Sequence, residues 1–119
     1  ITIYGDGKQV RDVLYVDDLV DAYLAAEAQK KRVVGKIYNV GGGAERTLSV
    51  WAELGPILEE ALGKRIPVTF SDWRPGDQRV YVSDVRKIAA ELGWQPKTRV
   101  REGVIKLIEW VRANRTLFV

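Results

Sequence analysis

Short apolar runs cut off by glycine turns alternate along this chain with segments of helical period, and that alternation restricts it to a mixed α/β fold. Residues 1–4 alternate as a short strand does, Gly5-Asp6-Gly7 turns the chain, and residues 13–16 (Val-Leu-Tyr-Val) read as a buried extended run. A helix follows, with Asp17 placed to cap its first turn, Asp18 to complement its dipole, and Leu19, Val20, Tyr23, Leu24 and Ala26 on its apolar side. Residues 37–40 read as a strand ended by Gly41-Gly42-Gly43. Ser49 is expected to cap a second long helix carrying Trp51, Leu54, Leu58 and Leu62. That helix should kink or split at Pro56, because proline lacks the amide donor and crowds the preceding turn. Residues 68–70 and 80–82 give two further short strands. Ser83 is expected to cap a helix carrying Val85, Ile88, Ala89 and Leu92 that Gly93 closes, and a last helix starts near Arg101 with Val104, Leu107, Ile108 and Val111 in step.

A chain of 119 residues, 46% of them apolar, suffices for one modest core and leaves much surface exposed. It has no cysteine, which excludes disulfides and thiolate metal sites and suits a cytoplasmic location. Histidine is absent too, so the commonest bases, nucleophiles and metal ligands are missing, and no metal site is expected. The lack of Cys, Met and His beside 29% charged residues leans towards a heat-loving source. No apolar run reaches membrane-spanning length, so a membrane is not among the expected partners. The formal charge of +3 raises the question of nucleic acid. The longest basic run, Lys30-Lys31-Arg32, has no aromatic interleaving and reads as a solvated loop, so nucleic acid is not expected either.

The residues that carry chemistry lie in two places. Arg74-Pro75-Gly76-Asp77, behind Asp72-Trp73, sets a guanidinium and a carboxylate three positions apart on a stiff turn, which suits the phosphate and ribose of a nucleotide. Upstream, Arg11 leaves the glycine turn in Gly5-Asp6-Gly7-Lys8-Gln9-Val10-Arg11-Asp12. Two converging arginines make a diphosphate clamp, since the planar guanidinium binds phosphate bidentately and stays charged when partly buried. The competing readings are local: Arg74 pairs with Asp72 or Asp77 to fix its turn, Arg11 pairs with Asp12, and Asp77 merely caps a turn. Asp17, Asp18 and Asp84 stand at helix starts and read as capping groups rather than as an acid/base pair.

Taken together, Ile1-Thr2-Ile3-Tyr4-Gly5-Asp6-Gly7, Arg11-Asp12 with Tyr15-Val16-Asp17-Asp18, Tyr38-Asn39-Val40-Gly41-Gly42-Gly43, Arg74-Pro75-Gly76-Asp77, Ser83-Asp84 and Leu92-Gly93-Trp94-Gln95-Pro96 resemble the C-terminal part of the extended short-chain dehydrogenase/reductases. These are NAD-dependent nucleotide-sugar epimerases and dehydratases. The run from Asp72 to Asp84 is similar to the CDP-paratose (CDP-tyvelose) 2-epimerase branch, with UDP-galactose 4-epimerase as neighbour. The resemblance implies an α/β fold, the substrate-binding lobe of an extended family member, with one or two strands that belong to a Rossmann sheet elsewhere. Residues 1–47 would bridge to the Rossmann domain and residues 48–119 would form the lobe. It further implies that Arg11 and Arg74 bind the diphosphate and Asp77 the ribose, that Thr2 and Tyr4 line the base pocket largely through backbone groups, and that Gln9 lies near the phosphates. Gln9, though near the phosphates, and Asn39, a buried polar residue at a strand end, are expected to be structural or to support the contacting residues, and Trp73 is expected to pack.

The Gly-x-x-Gly-x-x-Gly turn that holds a dinucleotide pyrophosphate is absent from these residues. No Tyr-x-x-x-Lys pair is expected among them either; the family's catalytic tyrosine and lysine would lie upstream, so no residue here is assigned to catalysis or to NAD. The chain reads as the nucleotide-sugar-binding piece of an epimerase, with a 4,6-dehydratase or decarboxylase lobe, or a noncatalytic nucleotide-binding or assembly module, as alternatives. Taken alone it should be inactive. Its first segment, shaped to meet a sheet, should be disordered or self-associate, and the parent is expected to be a homodimer.

Overall fold

The computed structural model describes residues 1–118, about 50 × 36 × 25 Å across. Two small sheets carry the site. In the first, β1 (Thr2–Tyr4) pairs parallel with β4 (Thr69–Ser71), Ile3 opposite Phe70, and the pairing continues through the amide of Gly5 to the carbonyl of Ser71. Ile3 is buried between exposed Thr2 and Tyr4, the two-residue period of a half-buried strand. In the second sheet β2 (Val10–Asp12) is central. It runs antiparallel to β3 (Thr47–Ser49) and parallel to β5 (Val80–Tyr81), with Arg11 opposite both Leu48 and Tyr81.

The helices are α1 (Val16–Ala28), the single turn α2 (Lys30–Val33), α3 (Leu54–Leu62), α4 (Arg86–Leu92) and α5 (Val100–Ala113). Ala22 of α1 meets Ile88 and Leu92 of α4 and Trp94 just beyond, with Leu14, Ala25, Ala26, Val33, Tyr38 and Val85 packed around them. Gly93 ends α4 at φ 68°, a left-handed conformation open to glycine at little steric cost. The chain then turns back so that the indole of Trp94 donates to the carbonyl of Asp18 at 3.1 Å. The Asp18 side chain is itself buried and accepts the amide of Thr98 at 2.9 Å. Burial pushes its pKa up, but the backbone amides of Thr98 and Lys97, the Thr98 hydroxyl and the charge of Arg46 outweigh it and hold the carboxyl below its ordinary value.

Several expectations need correcting. Asp17 does not cap α1: that helix starts one residue earlier after Tyr15, with no side-chain cap, and Asp18 acts through Thr98 rather than through the dipole alone. Ser49 is no helix cap. It is the last residue of β3, and both its amide and its hydroxyl donate to the carboxylate of Glu53, at 2.7 and 2.8 Å. With Ser49 held in the sheet, α3 begins only at Leu54, so Pro56 falls in the first turn, where an amide has no partner in its own helix, and no kink follows. Ser83 does not cap α4 either. Asp84 accepts the amide of Arg86 at 3.1 Å and its guanidinium at 2.6 Å, contacts that lower the Asp84 carboxyl to about 2.

Residues 37–40 are not a strand, because a strand needs a ladder and none of the described strands pairs with them. The segment is fixed by side chains instead. Lys36 and the Tyr38 hydroxyl both reach Glu91, at 2.7 and 2.6 Å, and Lys87 donates to the carbonyl of Ile37 at 2.8 Å. Residues 13–15 are half-buried and Val16 is exposed, so the apolar run beyond β2 is not the buried strand expected. An exposed apolar surface is present on α1, at Val20, Tyr23 and Leu24, and at Val34 and Ile37. The first segment carries β1, β2, α1 and α2.

Candidate functional site

The turn after β4 holds Arg74 and Asp77 in an ion pair with each other. Arg74 Nε lies 3.2 Å from Asp77 Oδ2 and Nη2 lies 3.4 Å from Oδ1, while the amide of Asp77 closes the turn onto the carbonyl of Arg74 at 3.1 Å. Gly76 at φ 84° completes it. The guanidinium carbon also sits 4.7 Å from the centroid of the Tyr4 ring, a cation–π contact between the end of β1 and the turn after β4. Of the local readings of Arg74, pairing with Asp77 is therefore the one found.

Arg11 has no such ion pair among the described residues. Its fork bridges two carbonyls, Nη1 to Val10 at 2.8 Å and Nη2 to Gln78 at 2.7 Å. The alternative pairing with Asp12 is not made; Asp12 accepts the amide of Gly43 at 3.0 Å. The Gln78 carbonyl is one residue from Asp77, so the parallel pairing of β2 with β5 brings the two arginines to the same loop. Carbonyl oxygens orient the Arg11 guanidinium without neutralising it, which leaves its charge available to an anion.

Gln9 joins the two sheets. It is buried, its Nε2 donates to the carbonyl of Tyr4, and its Oε1 has no partner among the described residues. Gly5 makes room for this arrangement: a Cβ there would stand 2.8 Å from Gln9 Nε2 and 2.8 Å from the Trp73 ring. Thr2 is on the same face of β1 as Tyr4 and is exposed, its hydroxyl 3.4 Å from that of Thr69. Trp73 packs as expected, and Arg79 lies over its ring at 5.0 Å. Asn39 is exposed rather than buried, and it donates to the carbonyl of Asp84 at 3.5 Å. Tyr4, Gln9, Arg11, Arg74 and Asp77 thus form one connected set, with Thr2 at its edge. Arg79, Gln78 and Tyr81 join it through the pairing of β5 with β2, for which the sequence offered no local signal.

One Tyr-x-x-x-Lys spacing does occur, from Tyr4 to Lys8. It is not a catalytic pair of helical spacing, because the Gly5–Gly7 turn lies between them, Tyr4 lies against Arg74 and the Lys8 amide bonds Asp6 at 3.0 Å. No group of three or more potential metal ligands occurs among the described residues, and none of their helices is long and apolar enough to cross a membrane. An apolar cleft of about 440 Å³ lies between α3, α5 and residues 13–16, but none of the candidate residues lines it. Among the described residues no glycine-rich strand-to-helix turn is available to hold NAD, and these residues do not fit that cofactor.

A family model described as GDP-mannose 4,6 dehydratase matches residues 1–107. Among curated proteins the chain is 38% identical over 109 residues to CDP-paratose 2-epimerase from Salmonella typhi, covering 92% of this chain and 32% of that protein. It is 37% identical to dTDP-glucose 4,6-dehydratase from Shigella flexneri, covering 96% and 32%. The crystal structure of UDP-glucuronic acid 4-epimerase from Bacillus cereus, in complex with UDP-glucuronic acid and NAD, superposes with a TM-score of 0.83 at 28% identity over 94% of this chain and 35% of that one. The chain spans about a third of the length of the curated relatives it matches. With the model matched over nearly all its length and the expected mixed α/β lobe in place, the chain belongs to the GDP-mannose 4,6 dehydratase family of extended short-chain dehydrogenase/reductases.

Proposed function

We propose that this chain is the nucleotide-sugar-binding portion of an NAD-dependent epimerase, and that it holds the nucleoside diphosphate while the sugar is presented to chemistry carried elsewhere. The observation that carries this reading is the convergence on one loop of Arg11, oriented but not neutralised, with Arg74 and Asp77. Arg11 and Arg74 take the diphosphate, Asp77 accepts from the ribose hydroxyls, and Thr2 and Tyr4 flank the base. Gln9, buried behind them, fixes the end of β1 through the Tyr4 carbonyl. Residues 1–47 serve as the bridge to the NAD-binding domain and residues 48–119 as the lobe. NAD, bound by that other domain, would accept and return a hydride. The contribution of the residues here is binding energy remote from the reacting carbon, which orients the sugar ring. The 37% identity to a dTDP-glucose 4,6-dehydratase supports a second reading, in which the same clamp serves a dehydratase.

Thermal unfolding with uridine, UMP, UDP and CDP separates the clamp from a generic nucleoside pocket. A ligand that binds only the folded chain stabilises it by about 2.7 kcal/mol at a hundredfold excess over Kd. The diphosphates should raise the melting temperature by several degrees and uridine should leave it in place. Equal shifts from uridine and UDP, or none from any of them, would remove the assignment.

A further inference from the structure

We propose that the Arg74–Asp77 ion pair is a self-competing latch that makes the site discriminate nucleoside diphosphates from bare phosphates. This rests on the clamp reading and adds to it.

The groups assigned to phosphate and to ribose are bound to each other, Arg74 Nε and Nη2 on the two carboxylate oxygens of Asp77 at 3.2 and 3.4 Å. The Asp77 side chain is largely covered while that of Arg74 is mostly open, 21% against 62% exposed. The guanidinium is therefore the member of the pair that an incoming anion meets first. Tyr4 holds it from one side at 4.7 Å, so the guanidinium can exchange its carboxylate partner for a phosphate while keeping the ring as platform. Once Arg74 turns to a phosphate, the Asp77 carboxylate loses both charge-assisted donors. In water-accessible surroundings that loss is modest, yet it recurs for every ligand that takes Arg74. A nucleoside diphosphate compensates it, because two vicinal ribose hydroxyls replace the guanidinium on Asp77. Pyrophosphate or inorganic phosphate has nothing to offer the carboxylate and bears the full loss. Arg11, held by carbonyls rather than by a carboxylate, carries no such competitor. The discrimination accordingly resides in one of the two arginines.

The test is a double-mutant cycle on this chain, with pyrophosphate and UDP as probes in calorimetric titrations. Asp77→Asn should tighten pyrophosphate binding by about threefold, the size expected for loss of one exposed ion pair, and should weaken UDP. The exposed Asp72, in the same loop, gives the control for removal of a nearby negative charge. Asp72→Asn should change pyrophosphate affinity much less. The gain from Asp77→Asn should also vanish when Arg74 is already alanine, since the latch then has no second half. A gain of equal size in Asp72→Asn, or one that persists in Arg74→Ala, is a field effect and overturns the latch while leaving the clamp standing. If Arg74→Ala alone leaves both UDP and pyrophosphate affinity unchanged, the clamp is wrong and the latch falls with it.

Discussion

Replacing Arg74 or Arg11 by lysine is expected to weaken UDP and CDP binding by roughly tenfold or more each, although the formal charge is kept. A charge-assisted hydrogen bond is worth about 1.5–3 kcal/mol, and lysine cannot reproduce the two parallel bonds of a guanidinium fork. The two positions should differ in how they fail. At position 74 the lysine still pairs with Asp77, and only the bidentate geometry and the flat face against Tyr4 are lost. At position 11 the fork also ties Val10 to Gln78 across the second sheet, so Arg11→Lys should loosen the register of the loop as well as the phosphate contact. Calorimetric affinities, with circular dichroism to confirm the fold, check this. If only the local positive field mattered, the lysine variants would bind nearly as the parent does and added salt would erase the remaining difference.

Trp94→Ala should cost roughly 3–5 kcal/mol of folding stability, a large share of what a domain of this size possesses. The indole is buried, 5% exposed, and it packs in the small core with Ala22 of α1 and Ile88 and Leu92 of α4. Its Nε1–H is spent on the Asp18 carbonyl, so truncation removes packing and a buried hydrogen bond together. Trp94→Phe keeps most of the apolar contact and loses the donor, and it should cost less, by the margin of one hydrogen bond and a partly filled cavity. Urea denaturation of the three proteins reads the order directly. A loss below about 1 kcal/mol for the alanine variant would mean that the cluster around Ala22, Ile88 and Leu92 is not the chief core.

Local signals in the sequence were reliable where the neighbours in sequence decide the outcome. The alternation of Thr2, Ile3 and Tyr4 gave β1, the glycine after Leu92 gave the end of α4, and the spacing of Val104, Leu107 and Ile108 gave α5 within a residue of its start. They misled where a distant residue decides. Ser49 has every local mark of a helix cap, but the pairing of Val10 with Ser49 draws it into the sheet, and the start of α3 and the harmlessness of Pro56 both follow from that. Residues 37–40 have the composition of a strand, and composition is insufficient when no edge is at hand. Asp18 looked like a dipole partner because its true contacts, Trp94 and Thr98, lie 76 and 80 residues away.

The candidate site was legible as a set of residue types but not as an arrangement. Arginine beside a Pro-Gly turn and a carboxylate pointed to phosphate and ribose, and a resemblance to known proteins assigned the roles. Nothing local to Arg11 revealed that its guanidinium is held by carbonyls while Arg74 is engaged by Asp77, because that difference arises from the parallel pairing of β2 with β5. The buried, half-satisfied Gln9 was likewise invisible, since its placement depends on the contact between its amide group and the end of β1.

The most direct test of the central claim is an amide-resolved nuclear magnetic resonance titration of the chain with UDP. The account predicts that the largest shifts fall on Tyr4, Gly5, Arg11 and the turn from Arg74 to Gln78, with the Arg74 Nε–H signal moving as it exchanges Asp77 for phosphate. Shifts concentrated instead on the apolar cleft at Leu48, Leu54, Leu58 and Ile108, or a spectrum unchanged at saturating UDP, would contradict it.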